Sequence, residues 1–150
     1  MRNKVTNKET VAELNRLVEI NNDRVEGYKT ALTETEDSGL KALFKEMADH
    51  SFQNRNELAD EILKNGGEPT GGTCTSGKVF RAWMDIKAAL TKKDRKAILN
   101  SCEFGEDAAL DVYEEVLQKA KEQGIRSLIL KQKELLQKDH DRIKLLRDSQ

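Results

Sequence analysis

ILNSCEFGEDAALDVYEEVLQKA, residues 98–120, decides the fold class. Leu99, Cys102, Ala109, Tyr113, Val116 and Ala120 recur at spacings of three and four, with one larger step. That is the apolar seam of a long amphipathic helix. Glu106 interrupts the seam near its middle. A carboxylate at such a position needs a partner, because an unpaired buried charge is costly. The expected partner is His140, on the last helix.

The rest of the chain repeats the pattern. Thr6-Asn-Lys-Glu9 reads as a capping box that starts a first helix. Val11, Leu14, Val18, Val25, Tyr28 and Leu32 carry the helix to about Thr33, with Asn21 in an inward slot. Gly27 beside this stripe lowers helix propensity and marks a close helix contact. Asp37 or Ser38 caps a second helix bearing Leu40, Leu43, Phe44, Met47, Leu58 and Ile62. His50, Ser51 and Asn54 take its inward slots between Met47 and Leu58. Asn65-Gly66-Gly67 ends it. The Gly/Thr-rich segment that follows, around Pro69, reads as the one flexible loop. A short helix, Lys78 to about Leu90, presents Val79, Phe80, Trp83, Ile86 and Leu90. Phe80, Trp83 and Ile86 are expected to be at least half buried, because large aromatics gain most from burial. Asp94 caps the third long helix, and Gly124 is its expected stop. Leu128, Ile129, Leu135, Leu136, Ile143 and Leu146 form the stripe of the last helix. Gln132, Asp139 and His140 interrupt it.

Composition agrees with this reading. Of 150 residues, 35% are charged and 37% hydrophobic, with one proline, as in a protein of long helices. The length suits a single domain, residues 1–150. The net charge of −1 is spread over both signs, so no nucleic-acid footprint is expected. No stretch reaches transmembrane length, and the start of the chain has no signal-peptide core, so a cytoplasmic protein away from membranes is expected. Cys74 and Cys102 fit neither a zinc nor a redox motif.

Four long helices with tight turns inside each pair, and about thirty residues with a short helix between the pairs, make an all-α, ferritin-like antiparallel four-helix bundle with a long crossover. Counted outward from the turns, Asn21 stands level with His50, and Glu106 level with His140. Bundle cores of this kind build metal sites from inward Glu and Glu-x-x-His pairs. Here the matching positions read His50-x-x-Gln53 and Gln137-x-x-His140, and Gln is a weak ligand. Two readings follow. The first is a non-enzymatic bundle that acts by protein association, homo-oligomers included, with its polar midsection as a hydrogen-bonded layer. The second is a degenerate metal site for iron, manganese or zinc at Glu106, His140 and His50. No catalytic residue is assigned, because the chain has no nucleophile-base set or phosphate loop.

The runs CEFGEDAALDVYEEVL and FRAWMDIKAALTKKDRKAIL, the GGEP turn and the ending HDRIKLLRD resemble a bacterial family of ferritin-like four-helix-bundle proteins of unknown function. The resemblance spans about Val11 to Asp148. It implies a ferritin-like bundle with no established activity. The wider superfamily includes di-iron proteins, whose four-Glu, two-His pattern is not met here. Asn21, His50, Gln53 and Gln137 are the departures.

Overall fold

A computed structural model describes residues 7–75 and 77–150. The described residues form five α-helices: α1 (Lys8–Glu34), α2 (Ser38–Lys64), α3 (Gly77–Lys92), α4 (Arg95–Lys119) and α5 (Gln123–Asp148). No strand occurs among the described residues.

The helix ends follow from local chemistry. Thr6, and with it the expected capping box, lies outside the described residues. Asn7 caps α1 by accepting from the Thr10 amide at 3.2 Å. Asp37 caps α2 through the Leu40 amide at 3.0 Å, and Asp94 caps α4 through Ala97 at 3.2 Å. The end of α2 is a Schellman turn: Gly66 sits at φ +81°, and the Gly67 amide donates to the Ile62 carbonyl at 3.0 Å. Gly124 is not the stop of α4. That helix ends at Lys119, and Gly124 lies in the first turn of α5. Arg126 supplies the end signal instead: its guanidinium donates to the carbonyls of Leu117 at 2.7 Å and Ala120 at 2.9 Å, filling acceptors the helix leaves open.

α1 and α2 lie along each other. The Asn7 amide donates to the Asn65 carbonyl at one end of the pair, and Lys41 Nζ to the Leu32 carbonyl at the other. α4 packs on α5, and α3 covers the seam between α1 and α4. The segment around Pro69, expected to be flexible, is tied down. Asn15 donates to the Glu68 carbonyl at 3.0 Å, Asn22 to that of Gly72 at 2.8 Å, and Asp23 accepts from the Cys74 amide at 3.1 Å.

The interior has two apolar clusters. One holds Leu14, Leu17, Leu58, Ile62, Tyr113, Val116 and Ile129; the other holds Tyr28, Phe44, Met47, Leu99, Cys102 and Ile143. Trp83 touches both. Ile86 is buried and Trp83 half-buried, while Phe80 keeps 39% of its surface exposed and is the least covered of the three. Trp83 stands edge-on to Tyr28, with centroids 5.0 Å apart, and its ring lies over Gly27. A Cβ at Gly27 would lie 2.3 Å from Trp83 Cζ3, which explains glycine in mid-helix. Gly27→Ala should therefore destabilise the fold. Overpacking costs about 1–3 kcal/mol and exceeds the gain in helix propensity of about 1 kcal/mol. Urea unfolding of the two proteins gives the sign directly.

Candidate functional site

Between the two apolar clusters lie two polar layers, and all four long helices contribute to each. The first layer is built on Arg24 of α1, which is 2% exposed. Its Nε donates to Glu106 Oε2 at 3.0 Å, and its Nη2 donates to Glu106 Oε1 at 2.8 Å and Asp139 Oδ2 at 3.1 Å. Nη1 donates to Ser51 of α2. The Tyr28 hydroxyl donates to Glu106 Oε2 at 2.6 Å. The two-pronged contact with Glu106 uses the planar fork that only arginine offers. Burial alone would lower the Arg24 pKa. Glu106 above all, then Tyr28 and Asp139, overcome that and leave it raised. Arg24 is therefore a fixed cation in the bundle.

The second layer is neutral. Asn21 of α1 donates to the Tyr113 hydroxyl of α4 at 2.7 Å, and that hydroxyl donates to Gln132 of α5 at 2.8 Å. Gln132 donates to the Asn54 carbonyl of α2 at 3.1 Å, and the Asn54 side chain to Asn21 at 3.4 Å. Every buried side-chain nitrogen and oxygen among the described residues has a partner. Satisfied networks of this kind hold helices in one register.

The expected pair of Glu106 and His140 does not form. Glu106 turns inward to Arg24 and Tyr28. Asp139, not His140, stands opposite Glu106. One residue along a helix is a rotation of about 100°, and this carries His140 to the flank of α4. There its Nε2 lies 2.9 Å from Asp107 Oδ1 and 3.4 Å from Glu103 Oε2. His50 also sits one place off its seam. It reaches the inner layer from the edge, with Nδ1 3.0 Å from both oxygens of Asp139. A carboxylate only accepts, so Nδ1 carries the hydrogen of that contact. Asn21 stands level with Asn54 rather than His50, which centres the α1–α2 turn near Asp37 and Ser38 instead of Glu36. Glu106 and His50 thus join the same charged layer through different partners, Arg24 and Asp139, while His140 lies outside it.

A family model described as a domain of unknown function, DUF2383, matches residues 9–119. The chain belongs to the DUF2383 family. No curated protein matches it. The DUF2383 match covers α1 to α4 and so includes Arg24, Tyr28, Ser51 and Glu106; Asp139 and His140, on α5, lie beyond it.

This DUF2383 chain also has a crevice of about 200 Å³ between α1 and α3, lined by Asp23, Glu26, Gly27, Cys74, Trp83 and Met84 among others. Burial, and then the neighbouring Asp23, push the Cys74 thiol up to about 12, so it is no nucleophile near neutral pH. Burial raises Asp23 from 3.8 to about 6, against the opposing hydrogen bond from Cys74. The folded chain therefore holds a proton that the unfolded chain releases, and stability falls as pH rises from 3.8 to about 6. Above that window the loss is complete. Asp23→Asn should flatten this component, seen as a melting-temperature difference from wild type that changes across the window and is constant above it.

Proposed function

We propose that this chain is a ferritin-like, non-enzymatic bundle with a structural interior, which acts in the cytoplasm by association with other protein chains, copies of itself among them. The observation that carries this reading is Arg24. Its guanidinium occupies both carboxylates of the inner layer, Glu106 and Asp139. A metal centre there would need those carboxylates free and would face a buried cation.

The order of residues through the two layers supports the ferritin-like topology. Passing from the charged layer to the neutral one, α1 and α5 are traversed backwards, from Arg24 to Asn21 and from Asp139 to Gln132. α2 and α4 are traversed forwards, from Ser51 to Asn54 and from Glu106 to Tyr113. Neighbouring helices then run antiparallel, while α2 and α4 run parallel. The segment between them, with α3, acts as a crossover that restarts the chain at the other end. Association is supported by apolar side chains on the outside: Leu145 is 71% exposed, and Phe52 and Phe104 47% each. The net charge of −1 favours protein over nucleic acid as partner, and the two free thiols fit a reducing compartment.

The test is oxidation of Fe(II) under air, with sedimentation equilibrium on the same preparation. The reading expects the protein-free rate of oxidation and a mass above the 17.0 kDa of one chain. A saturable oxidation rate that Glu106→Gln abolishes would overturn it.

A further inference from the structure

We propose that Glu103, Asp107 and His140 form a site for one first-row divalent cation on the outer flank of α4 and α5. The inference does not rest on the structural reading of the interior, because none of the three side chains contacts Arg24 or Glu106.

Glu103 and Asp107 are four residues apart, so they lie one above the other on the same face of α4. His140 reaches that face from α5. One ligand atom from each of the three side chains lies within 4.8 Å of the other two, and His140 Nε2 faces both Asp107 Oδ1 and Glu103 Oε2. Metal–ligand bonds of about 2.0–2.2 Å place two ligand atoms at most about 4.4 Å apart, so small side-chain rotations close the set. Two carboxylates neutralise a divalent ion, and the imidazole adds the nitrogen that favours zinc or iron over calcium and magnesium.

Each covered ligand is also held from behind. His140 Nδ1 lies 3.0 Å from Asp141 Oδ1. That carboxylate accepts from Nδ1, so a cation that displaces the hydrogen between Nε2 and Asp107 meets a lone pair directed at Glu103 and Asp107. A carboxylate behind a histidine is the usual support of a metal-bound imidazole, and it raises the basicity of the ligand. On Glu103, Arg147 takes Oε1 and leaves Oε2 turned toward His140. The side chains of His140 and Glu103 are 12% and 14% exposed, whereas Asp107 is 57% exposed. A cation held here has two fixed ligands, one mobile ligand, and water on its open side.

The chain has two histidines, so their ring nitrogens can be followed individually by nitrogen-15 NMR. Chelator-treated protein is titrated with Zn(II). The site predicts that His140 Nε2 shifts saturably at one equivalent while the His50 ring stays unchanged. Asp107→Asn, at an exposed position that leaves the fold intact, should weaken binding by about tenfold or more, and Asp141→Asn by about tenfold through the imidazole it supports. Three results overturn the proposal. His140 stays unmoved by zinc; or Asp107→Asn binds as tightly as wild type, which makes His140 a lone adventitious ligand; or the His50 ring responds instead, which moves the metal to the interior.

Discussion

Replacing Arg24 with methionine will destabilise the protein by about 3–5 kcal/mol. Methionine fills nearly the same volume and keeps helix propensity, so the loss reports the charge and its hydrogen bonds. With Arg24 gone, Glu106 is 1% exposed with the Tyr28 hydroxyl as its remaining donor, and Asp139 is 3% exposed with only His50. Neither carboxylate can reach water from inside the bundle. Most of the expected loss is the penalty of these two stranded charges, since a buried ion pair itself contributes little net stability. Arg24→Lys should recover only part of it. An ammonium cannot span Glu106, Asp139 and Ser51 with the fixed fork that the guanidinium provides. Guanidinium-induced unfolding of the three proteins, read by circular dichroism, checks both statements.

Tyr28→Ala should cost about as much, roughly 3–5 kcal/mol, for a different reason. Tyr28 is 1% exposed, stacks on Phe44 with centroids 5.6 Å apart, and meets the edge of Trp83. Its removal opens a cavity where α1, α2 and α3 meet. It also deprives Glu106 Oε2 of a 2.6 Å hydrogen bond. Tyr28→Phe separates the two contributions: the ring stays and only the hydroxyl is lost. A hydrogen bond to a charged group contributes about 1.5–3 kcal/mol, so the phenylalanine variant should fall between wild type and alanine. If Tyr28→Phe is as damaging as Tyr28→Ala, the hydroxyl matters more than the ring packing argued here.

The helices were legible from the sequence because their seams are regular and their caps are local. Asp37, Asp94 and the Asn65-Gly66-Gly67 turn act through neighbours within a few residues. The end of α4 was not legible, because Arg126 closes it from the next helix. The polar midsection was legible as a place but not as a set of contacts. Glu106 was recognised at a seam position, and Asn21, Ser51, Asn54, Gln132 and Asp139 as inward interruptions. Arg24 was missed. The signal was present: Leu14, Leu17, Asn21, Arg24, Tyr28 and Ala31 recur at alternating steps of three and four, and all are buried. The stripe drawn through Val18 and Val25 lies beside that line. An arginine there reads as a solvated charge until two carboxylates from other helices are known to meet it. His140 was misplaced for a related reason. The pairs Glu106–Asp139 and Tyr113–Gln132 centre the α4–α5 turn between Glu122 and Gln123, before Gly124; an approximate count from that glycine reaches His140, one residue and a rotation of about 100° past Asp139. The flanking cluster with Glu103 and Asp107 depends on that rotation and could not be read before the register was known.

The central claim is that Arg24 and Glu106 stabilise one another inside the bundle, and a double-mutant cycle tests it most directly. Glu106→Gln keeps the shape of the side chain and an acceptor for Tyr28 while removing the charge. In the wild-type background it should destabilise the protein, because Arg24 loses its two-pronged partner. In the Arg24→Met background it should stabilise the protein, because it removes a buried charge with no cation beside it. This change of sign corresponds to a coupling of about 2–3 kcal/mol. If Glu106→Gln instead costs the same in both backgrounds, to within about 0.5 kcal/mol, the two side chains are independent and the account of the polar layer is wrong.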